Sequence, residues 1–136
     1  MTSPNHALIR RFFAELSSGK FSSELLADEM TVWSSSSGAL GQAKAKYQFA
    51  VKLLQSLFPE GLAYRVLSLT AEEDRGAAEV LASGTLTNGE RYENNYVFVF
   101  RIRGSQIVSI AEHFNVLTVQ EKIMPLMAAA MAQRRD

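Results

Sequence analysis

The sequence predicts an α+β fold in which a strongly curved antiparallel or mixed sheet packs on N-terminal helices. Three long strands in succession occupy residues 79–115, separated by turn residues at 88–89 and 104–106. Ahead of them, stretches with helical spacing of apolar residues alternate with shorter strands, and a further helical stretch follows them. Strands and helices segregated in this way are typical of α+β folds. A sheet curved around the helices would form a cone that is open at one end.

Helix-boundary residues mark the first helix. Ser3 suits the N-cap, Pro4 suits the first helical position, and Gly19 suits the position just past the end. The elements expected next are a short helix at 22–26, a strand at 30–33, a serine-rich loop at 34–38, a longer helix at 42–58 and a strand at 62–70.

An extra helix is predicted at the C-terminal end of the chain. Thr118 and Glu121 have the spacing of a capping box, and Pro125 predicts a break or kink near Met124. The methionines on one side of this helix are Met124, Met127 and Met131. Because methionines adapt to irregular apolar surfaces, the helix would be either a lid over the open end of the cone or an arm in a dimer.

The Asn88-Gly89 pair is the strongest hairpin signal in the chain, because a two-residue type I′ turn needs a positive φ at both central residues. With that turn, Ser83 faces Asn94 across the hairpin. Ser83, Thr85, Asn94 and Tyr96 then form a polar patch on the face directed at the core. Such a patch could bind a ligand through hydrogen bonds, or could consist of ordinary cross-strand pairs.

The second turn, at 104–106, suits a three-residue loop with a bulge. Phe98 then faces Glu112, and Tyr96 faces Phe114. Glu112 would therefore lie among aromatic side chains, where burial raises the pKa of a carboxyl. A carboxyl that titrates near neutral pH suits general acid and base catalysis, so Glu112 is the candidate catalytic residue. In the alternative, structural interpretation, Glu112 bonds polar residues across the sheet or reaches solvent at the rim of the cone.

Further residues are candidates for the wall of a ligand pocket. They are Phe12, Trp33, Ser34, Tyr47, Phe98, His113, Phe114 and Asn115. Trp33, Tyr47 and Phe12 could equally be core side chains, and Ser34 begins the loop expected at the mouth. His113 should point to the face opposite Glu112, toward a dimer contact or solvent, unless a bulge reverses it.

Composition limits the partners and cofactors to be expected. Fourteen basic residues balance fourteen acidic ones, so charge favours neither nucleic acid nor an anionic membrane. The chain has no cysteine, which excludes disulfides, and neither a Gly-rich phosphate loop nor closely spaced histidines indicate a cofactor or metal. A chain of 136 residues is expected to form one domain, residues 1–136, and residues 1–6 lack a signal-peptide pattern, so a cytoplasmic protein is expected.

An apolar strip on the outer face of the sheet predicts a homodimer. Val97, Val99 and Val108, together with Val80, would otherwise lie in water. We expect two copies of the chain to bury this strip against each other.

Three stretches carry a resemblance to a known superfamily. They are residues 11–19 (RFFAELSSG), residues 26–33 (LADEMTVW), and residues 92–115, where Tyr-x-Asn-x-Tyr-x-Phe-x-Phe runs into Gly-x-Gln-Ile-Val-Ser-Ile-x-Glu-His-Phe-Asn. The sequence resembles the nuclear-transport-factor-2-like superfamily, which includes ketosteroid isomerases, SnoaL-like polyketide cyclases and the phenazine-biosynthesis A/B proteins. The resemblance covers nearly the whole chain and implies a cone-shaped domain, but it does not specify an activity, because one scaffold hosts unrelated functions.

The isomerase residues of that superfamily do not carry over. The oxyanion tyrosine falls on Phe12, the general-base aspartate on Ser34, and the protonated aspartate on Phe98. Phenylalanine offers no proton, and a serine hydroxyl is too weakly basic to abstract one unaided. The resemblance therefore does not imply a ketosteroid isomerase of the usual mechanism.

The last strand resembles the phenazine-type proteins more closely. In SnoaL-type cyclases an aspartate acts as acid and base, and here it would fall on Asn115, a neutral amide. In the phenazine-type proteins a glutamate lines the pocket, and Glu112 matches it. Glu112 in its apolar, aromatic surroundings predicts a cofactor-independent isomerase, cyclase or dehydratase that acts on a small hydrophobic or aromatic molecule, with Glu112 as the proton-transfer group. A non-catalytic ligand-binding protein or a protein-interaction module on the same scaffold are the alternatives.

Overall fold

The computed structural model describes residues 3–40 and 43–134. In chain order these form helix α1 (Pro4–Ser18), strands β1 (Leu26–Ser34) and β2 (Gly38–Leu40), helix α2 (Lys44–Gln55), and strands β3 (Ala63–Glu72), β4 (Arg75–Thr85), β5 (Arg91–Arg103) and β6 (Gln106–Phe114). A C-terminal helical segment follows, made of α3 (Val116–Thr118), a π-helical turn (Val119–Ile123) and α4 (Met124–Arg134). Gln42, where the longer helix was expected to begin, lies outside the described residues.

The six strands form one open mixed sheet in the order β2-β1-β6-β5-β4-β3. Strands β1 and β6 run parallel, and every other neighbouring pair runs antiparallel. Register shifts interrupt the β1–β6, β3–β4 and β5–β6 pairings, and irregularities of this kind bend strands. The α+β class, the cone-shaped sheet and the extra C-terminal helix are thereby confirmed.

Helix α1 begins and ends where the sequence predicts. The Ser3 Oγ accepts a hydrogen bond from the His6 N–H at 3.1 Å, and Pro4 occupies the first turn. Gly19 has a φ of 75°, and its N–H donates to the Leu16 carbonyl. The buried side chains of the helix, which pack on the concave face of the sheet, are Ile9, Phe12, Phe13 and Leu16.

The segment after α1 differs from the prediction. The expected helix at 22–26 is a turn, and β1 starts at Leu26 because β6 supplies a ladder partner that local sequence cannot reveal. The serine-rich stretch at 34–38 is a tight turn between β1 and β2. Ser34 stabilises this turn, since its Oγ accepts the Ser37 N–H at 3.1 Å and lies 2.6 Å from the Ser37 Oγ.

The β4–β5 hairpin has a three-residue loop, residues 87–89, where the sequence predicts a two-residue loop. The Leu86 N–H donates to the Glu90 carbonyl at 2.8 Å, and Gly89 has a φ of 86°. The Thr87 N–H donates outside the hairpin, to the Leu57 carbonyl at 2.9 Å. This tertiary hydrogen bond takes Thr87 out of the strand ladder, and the register moves by one residue.

A shift of one residue moves every side chain of β4 to the other face of the sheet. Ser83 pairs with Glu93 on the outer face, so the predicted inner patch of Ser83 and Thr85 is wrong. The inner face of β4 instead includes Ala82 and Gly84, whose small size leaves room for the large side chains of β5. Ser83 therefore does not reach the interior of the cone.

The β5–β6 hairpin has a two-residue loop in place of the predicted three-residue loop. Gly104 and Ser105 have φ values of 57° and 67°, and a type I′ turn needs a positive φ at both positions. A bulge then leaves Val108 without a cross-strand partner, which restores the residue that the loop lacks. Phe98 therefore lies opposite Glu112, as predicted.

Gly84 provides a test of the observed register. A Cβ at Gly84 would lie 2.8 Å from the Phe58 ring and 2.9 Å from the Gly61 carbonyl oxygen. Gly84→Ala should therefore lower the free energy of unfolding by about 1–3 kcal/mol, as overpacking does, and urea denaturation measures this. The outward Ser83→Ala change is the matched control, with an expected effect within about 0.5 kcal/mol. Wild-type stability of Gly84→Ala would contradict the register.

Candidate functional site

A cavity of about 210 Å³ lies between the concave face of the sheet, α2 and the C-terminal helical segment. Its wall is mostly apolar. Side chains in the apolar part include Leu16, Val51, Leu54, Val119, Ile123 and Met127. The polar groups are the Glu112 carboxyl, tyrosine hydroxyls, the Ser34 hydroxyl and, on the exposed side, Ser36, Ser37 and Lys46. Apolar walls with a few convergent polar groups are typical of small-molecule sites.

Glu112 is the acidic residue of the cavity wall. Strand β6 places it beside Ser34 of β1 and opposite Phe98 of β5. The Ser35 N–H donates to the Glu112 carbonyl at 3.0 Å, which fixes the backbone. Burial raises the pKa of the Glu112 carboxyl to about 7, and a hydrogen bond from Tyr47 partly offsets the effect of burial. Both the carboxylate and the carboxylic acid are therefore populated near neutral pH.

All four tyrosines of the chain line the cavity. They are Tyr47 of α2, Tyr64 of β3, and Tyr92 and Tyr96 of β5. Burial raises the pKa of each of these hydroxyls, which keeps them protonated at neutral pH. Protonated phenols can donate hydrogen bonds. One titrating carboxyl and a set of phenolic donors thus face the same largely apolar space.

Asn94, predicted to bind a ligand, supports the wall from behind. Its Nδ2 donates to the Tyr92 hydroxyl at 3.0 Å and to the Asn115 carbonyl at 3.1 Å, and its Oδ1 accepts the Asn115 N–H at 3.2 Å. The Asn115 side chain in turn caps α3 by accepting from the N–H groups of Leu117 and Thr118. Neither Asn94 nor Asn115 lines the cavity. Together they hold the end of β6 and the start of the C-terminal segment against β5.

The C-terminal segment covers the cavity, with Val119, Ile123 and Met127 in its wall. The predicted irregularity near Met124 is present as the π-helical turn that ends at Ile123. The predicted capping box is wrong, because Thr118 is itself helical and Asn115 is the N-cap. The cover is tethered to β5 where Lys122 Nζ donates to the Arg91 carbonyl at 2.7 Å.

Several residues predicted to line a pocket lie elsewhere. Phe12 and Phe98 are buried in the core, with ring centroids 6.0 Å apart. Trp33 and His113 lie on the outer face with ring centroids 4.7 Å apart, because their neighbours Val32 and Glu112 point inward and side chains alternate along a strand. Those four residues and Ser83 are absent from the cavity wall, which corrects the sequence-based assignment.

Ser34, Tyr47, Tyr96, Phe114 and Glu112 do line the cavity. Whether they bind a ligand stays a prediction. The sequence-based list misses Tyr64 and Tyr92, two of the four tyrosines in the wall. Tyr92 could have been found, because it lies four residues from Tyr96 on the same face of one strand. No local signal marks Tyr64, whose position depends on how far the sheet curves.

The open curved sheet around a covered cavity has the same fold as solved NTF2-like structures. An NTF2-like protein from Anabaena variabilis ATCC 29413 matches with a TM-score of 0.70 at 21% identity, over 82% of this chain and 87% of that chain. IdmH from Streptomyces antibioticus, described as a candidate polyketide cyclase, matches with a TM-score of 0.73 at 17% identity, over 88% of this chain and 96% of that chain. AclR from Streptomyces galilaeus, described as a candidate hydroxylase, matches with a TM-score of 0.75 at 18% identity, over 90% of this chain and 96% of that chain. At such identities the likeness shows the fold alone.

Within this class, the chain belongs to the SnoaL-like domain family, whose model matches residues 9–110. The predicted SnoaL-like membership is thereby confirmed, and the predicted NTF2-like fold matches solved structures. A sequence search of curated proteins finds no match. The family match ends before Glu112 and before the C-terminal cover, so membership alone assigns no role to either.

Across residues 3–40 and 43–134, no helix is long and apolar enough to cross a membrane. Within the same ranges, no three His, Cys, Asp or Glu side chains are grouped so that they could hold a metal ion.

The raised pKa of Glu112 predicts a pH-dependent stability. The carboxyl has an ordinary pKa of 4.5 and a folded-state pKa of about 7, so the folded protein binds this proton more tightly than the unfolded chain. The resulting stabilisation is fully present below the unfolded pKa and is lost as the pH rises through the folded pKa. The difference between the two values corresponds to about 3 kcal/mol.

Glu112→Gln removes this titration. The free energy of unfolding of the wild type relative to Glu112→Gln should therefore fall by about 3 kcal/mol between about pH 4 and pH 8, as measured by urea denaturation. Glu121→Gln changes an exposed glutamate and serves as the control, with a difference that varies by less than about 0.5 kcal/mol. A pH-independent difference for Glu112→Gln would show that the carboxyl is hydrated in the folded state.

Proposed function

We propose that this protein binds a small, largely apolar or aromatic molecule in the cavity and moves a proton on it with Glu112, without a cofactor. The observation that carries the proposal is a single carboxyl, with a pKa of about 7, in an apolar wall that also presents tyrosine hydroxyls. The carboxylate takes a proton from the bound molecule, and the carboxylic acid returns it to a different atom. The exchange is redox-neutral and needs no second reactant, which fits an isomerase, cyclase or dehydratase.

Tyr47 would orient the reacting group. It reaches Glu112 from α2, so its hydrogen bond ties the carboxyl to the helix that forms the opposite side of the cavity. A carboxylate held in one orientation needs less reorganisation when it accepts a proton.

The usual mechanism of ketosteroid isomerases is not supported. Phe12 and Phe98, at two of the positions expected for isomerase residues, are core side chains and lie outside the cavity wall. Ser34, at the third position, lies in the wall, but its hydroxyl bonds to other serines of the β1–β2 turn. Proton transfer in this chain would therefore depend on Glu112.

A non-catalytic binding protein is the second candidate. The hydrogen bond between Tyr47 and Glu112 favours it, because a buried carboxyl with a partner can also serve the structure. The two candidates differ in one measurable respect, which is whether the carboxylate abstracts a proton from a bound molecule.

A nitro-substituted benzisoxazole tests this without knowledge of the natural substrate. A base removes its ring C–H proton, the C–H electron pair forms a nitrile, the N–O bond breaks, and a coloured phenolate is released. The wild type should accelerate this ring opening, with a rate that rises through an apparent pKa of about 7. Glu112→Gln should lower kcat/KM by about a hundredfold or more, the usual contribution of a general base.

Glu121→Gln is the matched control for this assay and should keep the wild-type rate, since Glu121 is exposed and outside the cavity wall. Equal rates for the wild type and Glu112→Gln would refute the proposed role of Glu112. A protein that binds the probe without accelerating its ring opening would instead be the non-catalytic candidate.

We also propose that the outer face of the sheet forms a homodimer. Trp33, Val97 and Val99 are 38%, 40% and 38% exposed there, and the pairings place Trp33 and Val99 on either side of Ala111 of β6. Val80, expected in the same strip, is instead buried on the inner face of β4. Val97→Lys would place a charge in this apolar patch and should shift the protein from dimer to monomer in sedimentation equilibrium at micromolar concentration. Leu117→Lys, at a residue of α3 that is 66% exposed, should leave the dimer intact. A monomeric wild type at that concentration would exclude the proposed dimer.

A further inference from the structure

The hydroxyls of Tyr92 and Tyr96 form a hydrogen-bonded pair in which one hydroxyl hydrogen has no acceptor among the described residues. The two oxygens are 2.8 Å apart, and the Tyr92 oxygen also accepts the Asn94 Nδ2 hydrogen at 3.0 Å. Two phenols carry two O–H hydrogens, and the bond between them uses one. Among the described residues, no acceptor takes the other, whichever tyrosine carries it. One O–H donor is therefore left over in the pair. Tyr96, which is 6% exposed, presents the pair to the cavity, and Tyr92 lies fully buried behind it.

Asn94 holds this pair in place. Its exposed fraction is 4%, and its two remaining hydrogen bonds go to the backbone of Asn115. Because the amide is fixed on both sides, the Tyr92 oxygen has a defined position and the Tyr96 hydroxyl follows it at hydrogen-bond distance. Successive hydrogen bonds also polarise one another, which strengthens the last donor of a chain.

The wall of the cavity presents O–H donors that no described residue accepts. Tyr64 also presents a hydroxyl for which the described residues provide no hydrogen-bond partner, whereas the Glu112 carboxyl is the acidic acceptor and already bonds Tyr47. A molecule that fills this space without leaving a buried donor unpaired must bring an acceptor atom of its own, since an unpaired buried donor costs free energy.

We propose that the Tyr92–Tyr96 pair anchors an oxygen of the ligand and that the ligand is a small aromatic or cyclic carbonyl compound. A carbonyl oxygen accepts hydrogen bonds and cannot donate one, which matches the spare hydrogen of the pair. This inference deepens the proposed function of the cavity and rests on it. The two tyrosines are then the residues that select a carbonyl compound over a hydrocarbon of the same shape.

Two probes of matched shape test the selection. Acetophenone carries a carbonyl, and α-methylstyrene carries a methylene group in place of the carbonyl oxygen. The wild type should bind acetophenone about tenfold more tightly in calorimetric titrations, which corresponds to about one hydrogen bond. In the double variant Tyr92→Phe/Tyr96→Phe, the affinity ratio should fall to about one, because neither residue can donate.

The single variants give a distinctive result. Tyr92→Phe frees the hydrogen of Tyr96, and Tyr96→Phe frees that of Tyr92, so each retains one donor. Each should lose less than about threefold in affinity for acetophenone, and only the double variant should lose the full preference. Tyr64→Phe removes the other unpartnered hydroxyl of the wall, and the preference should survive if the Tyr92–Tyr96 pair is the anchor. Ser83→Ala, on the outer face of the sheet, is the control and should leave both affinities unchanged. A preference lost in Tyr64→Phe alone, or kept in the double variant, would assign the anchor elsewhere and overturn the inference.

Binding of α-methylstyrene reports whether the cavity itself is intact in each variant. If the double variant binds neither probe, the wild type still decides the question through acetophenone labelled with ¹³C at the carbonyl. Its bound resonance should lie downfield of its position in an alkane solvent, because a donated hydrogen bond polarises the carbonyl. An unshifted resonance, or a wild type that binds neither probe or both equally, would overturn the inference. Neither assay involves proton transfer, so this failure is distinct from unchanged kinetics of Glu112→Gln.

Discussion

The pairing of β5 with β6 is the constraint on which the site depends, because it holds a carboxyl on the face of the sheet from which water is largely excluded. A carboxylate loses its hydration there, and a fold keeps such a group only by protonating it or by supplying donors. Here both occur: burial raises the pKa of Glu112 to about 7, and Tyr47 donates to it. The cavity, the phenols and the helical cover form the surroundings in which this carboxyl can still reach a small molecule.

Local signals in the sequence are sufficient for the first helix, but they do not determine the turns. The N-cap at Ser3 and the glycine at Gly19 act within one helical turn, so sequence spacing reveals them. Both hairpin loops have a different length from the predicted one. The face of Glu112 is nevertheless correct, because the bulge at Val108 compensates for the shorter loop. No compensation occurs in β4, where the Thr87 hydrogen bond to Leu57 shifts the register.

The candidate site shows the same limit. Tyr96, Phe114 and Glu112 follow from strand alternation, and they line the cavity. The role of Asn94 could not be assigned in this way. The pattern of an asparagine on an inner face fits a ligand contact and a buried structural hydrogen-bonding group equally well. The hydrogen bonds from Asn94 to Tyr92 and to the backbone of Asn115 indicate the structural role. Tertiary partners, which sequence spacing does not encode, therefore separate residues of the cavity wall from residues that support it.

The π-helical turn at Val119–Ile123 determines which side of the last helix meets the cavity. A π turn holds a residue more than an α turn, and Pro125 lacks the N–H that a regular α-helix would use there. Successive residues of an α-helix are about 100° apart around the axis. If residues 119–123 were wound as an α-helix, everything after Ile123 would rotate by about that angle, and Met127 would leave the wall. The winding of a single turn thus sets the angular phase of the entire cover.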